Sequence, residues 1–309
     1  VEEVSSSRSF FARHEFAIRR LFSLSGLVPV GAYMCIHLLT NSSLLGGHGQ
    51  FQRAVYQIHS LGALLPVVEW VFIFLPIIFH ATLGVVIIRG GLPNNGSYAY
   101  GSNLRYTLQR ATGLIALIFI FTHVFHMHGW FHFDWWLDGV AEPLGGAQFK
   151  PYNASSTLAL AFQKSVLVPI LYTIGVLSCV FHLSNGIWSF GVRWGLWTTP
   201  AAMQRAGKLC VGFGLLLACI SLGAVAGPIK TDVKQAREYE NRTLEAKIAS
   251  GDVEPNPHKT AEDLPAEEGE AEATDAAATG AAATDAAGKQ PASSESSSTQ
   301  PAASSQPGA

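Results

Sequence analysis

Four histidines, His37, His80, His123 and His182, each stand in a long apolar run of this 309-residue chain. An ionisable group inside a lipid-facing run is costly, so it marks a functional site by default. A neutral imidazole offers one N–H donor and one bare nitrogen, which suits it to hydrogen bonding, proton transfer or metal ligation. A single such histidine is most simply a core residue bonded to a neighbouring helix. Four of them, on four separate runs, call for a shared purpose. A proton or metal relay would want acidic partners at similar depth, and only Glu69 lies near an apolar run.

The runs that carry them are membrane spans. Crossing the hydrocarbon core takes about 20 mostly apolar residues, and five stretches qualify, at about 21–41, 66–89, 107–130, 165–190 and 207–227. The composition is 49% hydrophobic and 14% charged, but everything aromatic lies at or before Tyr239. The expected fold is therefore all-α: an integral membrane bundle of five transmembrane helices with a disordered C-terminal tail. Residues 1–20 form a polar N-terminal segment, 21–228 the membrane domain, and 229–309 a polar, acidic, mostly disordered tail. About twenty polar residues before the first span predict that this segment is retained rather than cleaved. KTDVKQAREYENRTLEAKIAS, after Pro228, can form one polar helix. From Thr260 onward nine carboxylates face one base, Lys289, with no apolar periodicity, a composition that cannot bury enough surface to fold.

Basic residues favour the cytoplasmic side of a span. An inside N-terminus puts Arg8, Arg13, Arg19, Arg20, Arg89, Arg105, Arg110, Arg193, Arg205 and Lys208 inside, and only Arg53, Lys150 and Lys164 outside. Ten against three predicts N-terminus in and C-terminus out. The longest outer loop, 131–164, opens on an aromatic cluster, HGWFHFDWWLD, that suits the membrane–water boundary; a lid over an outer site is the other reading. Cys35, Cys179, Cys210 and Cys219 lie inside the runs without metal-ligand spacing and read as small core residues. No P-loop, GxGxxG or CxxC occurs, and nothing supports nucleic-acid binding.

A helix rises 1.5 Å per residue, so His37 and His123 lie roughly 24 and 20 Å up from the inner face, and His80 and His182 roughly 21 and 26 Å down from the outer one. The histidines thus fall into an outer pair, His37 with His123, and an inner pair, His80 with His182. Two imidazoles facing across a bundle core suit the two axial positions of a haem iron, leaving no place for oxygen and selecting electron transfer. His126, three residues after His123 on the same helix face, is an alternative outer ligand. Gly26, Gly31, Gly84, Gly113, Gly175 and Gly186 near the histidines would let a porphyrin approach, though small residues also serve plain helix packing.

FSLSGLVPVG, FLPIIFHATLGVVI, LQRATGLIALIFIFTHV and VLSCVFHLSNGIWSFGVRWG resemble the cytochrome b membrane-anchor subunit of di-haem succinate:quinone oxidoreductases (succinate dehydrogenase and fumarate reductase) over residues 13–228. FHLSNGIWSF is the most specific part. The resemblance implies the same ligand pairing and two haem b groups. It implies docking of a flavoprotein subunit carrying FAD and an iron–sulfur subunit on the cytoplasmic side, and delivery of electrons to a membrane quinone, expected to be menaquinone. This chain would be the electron-transfer subunit of a tricarboxylic-acid-cycle enzyme, with no dicarboxylate site of its own. Haem propionates need cationic or hydroxyl partners, and Arg20, Ser23, Ser25, Arg110 and Ser184 are the inner candidates, although the arginines also suit anchoring at the inner face. Glu69, about one turn into the second span, is the candidate proton donor for quinone, or else an interfacial carboxylate. The acidic tail and the enlarged 131–164 loop depart from the family pattern. His14 reads as a surface or subunit-contact residue, and His48, His59, His128 and His132 as solvated. The alternatives are the di-haem anchor of another quinone-linked dehydrogenase, or a haem-free membrane scaffold or transporter.

Overall fold

The computed structural model describes residues 10–90, 96, 100–262 and 264. Five helical stretches among them are long and apolar enough to cross a membrane: Arg13–Gly46, Gly62–Arg89, Asn103–His128, Leu167–Arg193 and Pro200–Lys230. Each overlaps an expected run and runs past it at one end or both; Asn103–His128 stops two residues short of the expected 107–130, Leu167–Arg193 starts two residues late for 165–190, and the second span ends with its run at Arg89.

The first span is two helices in line, α1 (Phe10–Leu27) and α2 (Pro29–Ser42). Pro29 starts α2 because proline lacks the N–H that an interior position needs but suits a first turn. A short helix α3 (His48–His59) follows. The second span runs as α4 (Leu65–Glu69), a π-helical turn Trp70–Phe74 and α5 (Leu75–Arg89). The third is α6 (Gly101–His128). After a one-turn helix α7 (Asp134–Trp136) and the helix α8 (Ala154–Gln163) come the fourth and fifth spans, α9 (Leu167–Arg193) and α10 (Pro200–Lys230). Helix α9 is central: α6 and α10 pack along it, α10 also lies along α2, and α1 lies along α5. Large apolar side chains at Ile36, Phe72, Ile78, Val86, Ile118, Leu171, Leu209 and Leu215 point outward and are mostly exposed. In a lipid solvent that is the stable arrangement, since outward leucine costs nothing there and inward small residues let helices close up.

One end of the bundle carries a folded cap, made of α3, residues 129–163 and the polar helix α11 (Val233–Ala249) with the strand of chain that follows it. Its interior is polar and paired. Gln52 donates to Pro151 O (2.8 Å) and accepts from Ala154 N (3.0 Å). Asn153 donates to Asn241 Oδ1 (2.8 Å) and accepts from Ala261 N (2.9 Å). Glu240 is fully buried, and its carboxylate sits at the N-terminus of α8, accepting from Ser155 N (2.6 Å) and from Ser156 Oγ (2.5 Å). A carboxylate there meets free N–H groups and the positive end of the helix dipole. Burial still pushes the Glu240 carboxyl above the usual carboxylate range, against the pull of those bonds. Arg237 donates from Nε to Ser156 Oγ (2.9 Å) and from Nη1 to the Glu262 carbonyl, tying α11 and the chain beyond it to α8.

The polar helix expected after Pro228 is thus α11, and it is packed rather than free. The acidic stretch beyond, apart from residues 260–262 and 264, lies outside the described residues, as does most of the 90–99 connection. Two smaller expectations need correction. His48, His59 and His128 are half-buried rather than solvated: His48 packs on Tyr239 of α11, His128 on Phe74 and His132, and His59 lies near His132 and Lys259; His132 stays exposed. Burial, with help from Lys259 and His132, pushes His59 down to about 4. Cys219 faces outward on α10 rather than into the core. The loop 131–164 is largely built structure. Its Trp136 turns in to bond Gly129 O (2.6 Å), while Phe133 and Trp135 remain 59% and 69% exposed.

Candidate functional site

The structure brings the four histidines together in the two pairs expected. The His80 and His182 ring centroids are 6.2 Å apart, with planes at 87°. Those of His37 and His123 are 5.8 Å apart, at 74°. A metal–imidazole bond of about 2 Å, with the ring centre about 1.1 Å behind its nitrogen, sets two axial imidazoles on one metal about 6 Å apart. Both pairs stand at that separation. Among the described residues no group of three or more histidine, cysteine or acidic side chains is placed to hold a bare metal ion. Two nitrogens per site fit a metal that brings its own equatorial ligands.

The first pair lies at the end of the bundle away from the cap. His80 Nδ1 is 2.9 Å from the Phe22 carbonyl, and its ring stacks on Phe22 at 4.3 Å. His182 Nδ1 is 3.0 Å from the Gln109 carbonyl. A carbonyl only accepts, so each Nδ1 carries the proton and each Nε2 keeps its lone pair, that of His182 with the Gln109 amide Nε2 3.5 Å away. This is the outer support that fixes ring and tautomer in metal-ligating histidines. The carbonyl of Phe22 is available because α1 approaches α5 closely at Gly26: a Cβ there would stand 2.3 Å from His80 Cε1. Gly113 does the same for His182, at 2.7 Å. Around His182, Asn185 Nδ2 donates to Gln109 Oε1 (2.8 Å), and Arg105 donates twice to Asn185 Oδ1 (2.9 and 2.7 Å) while lying 4.0 Å over the Trp188 ring.

The pair at the cap end is held differently. Its Nδ1 atoms meet phenols: Tyr33 Oη lies 3.5 Å from His37 and Tyr172 Oη 3.3 Å from His123. His126 does not replace His123 opposite His37. Its Nδ1 turns to Tyr172 Oη, at 2.8 Å.

The remaining candidates separate by position. Arg20 stands beside the first pair, its guanidinium 4.4 Å over Phe16 and 4.9 Å over Trp194, and its Nε is buried without a hydrogen-bond partner. Ser23 donates to Arg20 O (2.9 Å) and accepts from Trp194 Nε1 (3.0 Å); Ser25 donates to Phe22 O (3.0 Å). Arg110 bonds Ile87 O (3.2 Å) and lies over Tyr106. Ser184 is buried, donates to Val180 O (2.8 Å) and points at Gly214 on α10. Glu69 is half-buried at the start of the π-helical turn, within electrostatic reach of the Tyr33 phenol. Tyr33 is one helical turn before His37, an i, i+4 spacing that could have flagged it from the sequence. Tyr172 and Gln109 reach their histidines from other spans, and Asn185 and Arg105 act through Gln109; no periodicity announces that.

The chain is 35% identical over 211 residues to the succinate dehydrogenase cytochrome b558 subunit of Bacillus subtilis (strain 168), a match covering 68% of this chain and 96% of that protein. No protein-family model matches the chain.

Proposed function

The chain belongs to the family of succinate dehydrogenase cytochrome b558 subunits, and from that premise we propose that it is a di-haem anchor passing electrons from soluble succinate-oxidising subunits to a membrane quinone. It is a multi-pass membrane protein and the cytochrome subunit of the complex, with the dicarboxylate chemistry on another subunit. The observation that carries the di-haem reading is the convergence of four imidazoles from four spans into two pairs at bis-axial separation, 6.2 and 5.8 Å.

His80 and His182 would hold one haem b and His37 and His123 the other. A bis-histidine haem supplies one-electron transfer and has no open position for oxygen. The protein's contribution is orientation: carbonyls of Phe22 and Gln109 aim two rings, phenols of Tyr33 and Tyr172 aim the other two. Arg20, with its unpaired buried Nε, is the leading partner for a propionate beside the first pair, and Arg110 the next. Ser23 and Ser25 already donate to main-chain carbonyls and would have to exchange those bonds; Ser184 is turned towards α10.

The excess of basic residues at that end supports a reading with the first pair near the cytoplasmic face, the N-terminus inside and the cap outside. A flavoprotein with FAD and an iron–sulfur subunit would dock at that face. Quinone reduction near the cap-end pair needs a proton, and Glu69, beside Tyr33 and hence His37, is placed to give it; menaquinone is the expected acceptor.

The test is haem stoichiometry in the assembled complex. Wild type should give two b haems per chain. His37→Ala and His123→Ala should each lose the same haem, keep the other, and retain succinate oxidation with an artificial dye while losing quinone reduction. A haem-free preparation would favour a plain scaffold, and copurification with a different flavoprotein would favour another quinone-linked dehydrogenase. Loss of the cytoplasmic-side haem alone from His123→Ala would overturn the pairing.

A further inference from the structure

Two histidines on one face of α6, His123 and His126, both direct Nδ1 at the same hydroxyl, Tyr172 Oη, at 3.3 and 2.8 Å. Sequence spacing alone leaves either of them available as a ligand. We propose that Tyr172 is a positioning residue that decides between them by fixing opposite tautomers on the two rings. This inference rests on the di-haem reading above, in which one of the two ligates iron.

The argument is one of proton counting. A neutral imidazole has one N–H, and a phenol has one O–H and two lone pairs. If His123 offers a bare Nε2 to a metal, its proton is on Nδ1, and that N–H donates to Tyr172 Oη. The phenol proton is then free to point elsewhere, and His126 Nδ1 at 2.8 Å, a normal O–H···N distance, is its acceptor. An accepting Nδ1 is bare, so the His126 proton is on Nε2. His126 therefore presents no lone pair at the position from which it could bind iron. The same hydroxyl that readies His123 blocks its neighbour. The swapped arrangement, with the phenol donating to His123, would stretch an O–H···N bond to 3.3 Å, too long for one. The arrangement with both histidines donating to Oη leaves the phenol O–H without an acceptor among apolar rings: Tyr172 packs against Phe162 at 4.6 Å and Phe119 at 5.3 Å. An unpaired donor in that setting is the costly case. Those contacts also keep the phenol from swinging away, and Phe119 stacks on His123 at 5.6 Å, so ring and hydroxyl are positioned together.

The test compares Tyr172→Phe, His126→Ala and the double variant in the assembled complex, by low-spin ferric EPR and redox titration of each haem. Phenylalanine keeps the ring and its packing and removes only the hydroxyl. Expected for Tyr172→Phe is a cap-end haem signal split into two populations, with a raised midpoint because His123 Nδ1–H has lost its acceptor, and an unchanged signal from the other haem. Adding His126→Ala should return a single population while the raised midpoint stays, since the competitor is gone but the acceptor is still missing. His126→Ala alone should leave one population. A merely structural tyrosine predicts uniform loss of haem in Tyr172→Phe that His126→Ala does not repair. A single wild-type signal at the wild-type midpoint in Tyr172→Phe would overturn the proposal. His123→Ala in the same series separates the two levels: if it keeps the cap-end haem, the ligand assignment fails, not the role of Tyr172. Should Tyr172→Phe fail to accumulate, the ring tautomers of His123 and His126 in reduced, 15N-histidine-labelled wild-type complex decide the matter. His126 protonated at Nδ1 would refute it.

Discussion

If His80 and His182 hold a haem as proposed, replacing Gly26 with alanine should cost the complex that haem while leaving the bundle intact. The added Cβ would lie 2.3 Å from His80 Cε1 and 2.6 Å from its Nδ1. Carbon atoms rest about 3.5–4.0 Å apart, so the ring must retreat by more than about 1 Å. The ring is aimed by one 2.9 Å bond to Phe22 O, and a shift of that size breaks it. Removing such an outer support lowers metal affinity about 10–100-fold, or about 1.4–2.8 kcal/mol at 1.4 kcal/mol per decade. Alanine also favours a helix over glycine by about 1 kcal/mol, so the fold should not suffer. Gly84→Ala is the control: a Cβ there meets Phe22 at 3.8 Å, an ordinary contact, and two haems should remain. Pyridine haemochrome content per chain, with EPR to say which haem is missing, reads the outcome. If Gly26→Ala binds haem as wild type does, with an unshifted midpoint for the His80–His182 site, the close approach of α1 does not orient His80 and the reasoning fails.

Gly113→Ala should repeat the effect through His182, since its Cβ would stand 2.7 Å from that ring; full retention of both haems would count against it. Asn185→Ala strands Arg105 and Gln109, whose side chains it joins, and should destabilise the solubilised subunit by about 1–3 kcal/mol, read as a lower thermal midpoint. The cap should weaken as pH rises. Burial raises the Glu240 carboxyl, so the folded state binds its proton more tightly than the unfolded chain. That contribution is complete below the ordinary value of about 4.3 and is lost as pH climbs through the raised one. Protection of the Ser155 and Ser156 amides, corrected for intrinsic exchange, should fall over that range in wild type and stay flat in Glu240→Gln. A flat wild-type profile would contradict this.

The spans, their order and the depth of each histidine were legible because all three follow from hydropathy and a fixed rise per residue. Depth alone pairs His80 with His182 and His37 with His123, since the members of each pair lie at similar distances along spans that run in the same direction. What the sequence could not disclose is lateral. Whether His123 or His126 faces His37 depends on the rotation of α6 about its axis, which packing against α9 sets. Tyr172, Gln109 and the Phe22 carbonyl act from neighbouring helices, and a carbonyl carries no residue identity to notice. The cap was illegible for another reason: its interior is glutamine, asparagine, serine and a carboxylate, residues that read as surface until the partners of each are known.

The two histidine pairs differ in what a single nucleotide change can reach. The bonds that orient His80 and His182 end on main-chain oxygens, which every amino acid possesses, so drift at Phe22 or Gln109 leaves them in place. Those of His37 and His123 end on phenols, each one codon change away from phenylalanine. Within a lineage of such proteins, the first site should hold its properties nearly constant, and the second is where evolution can adjust them.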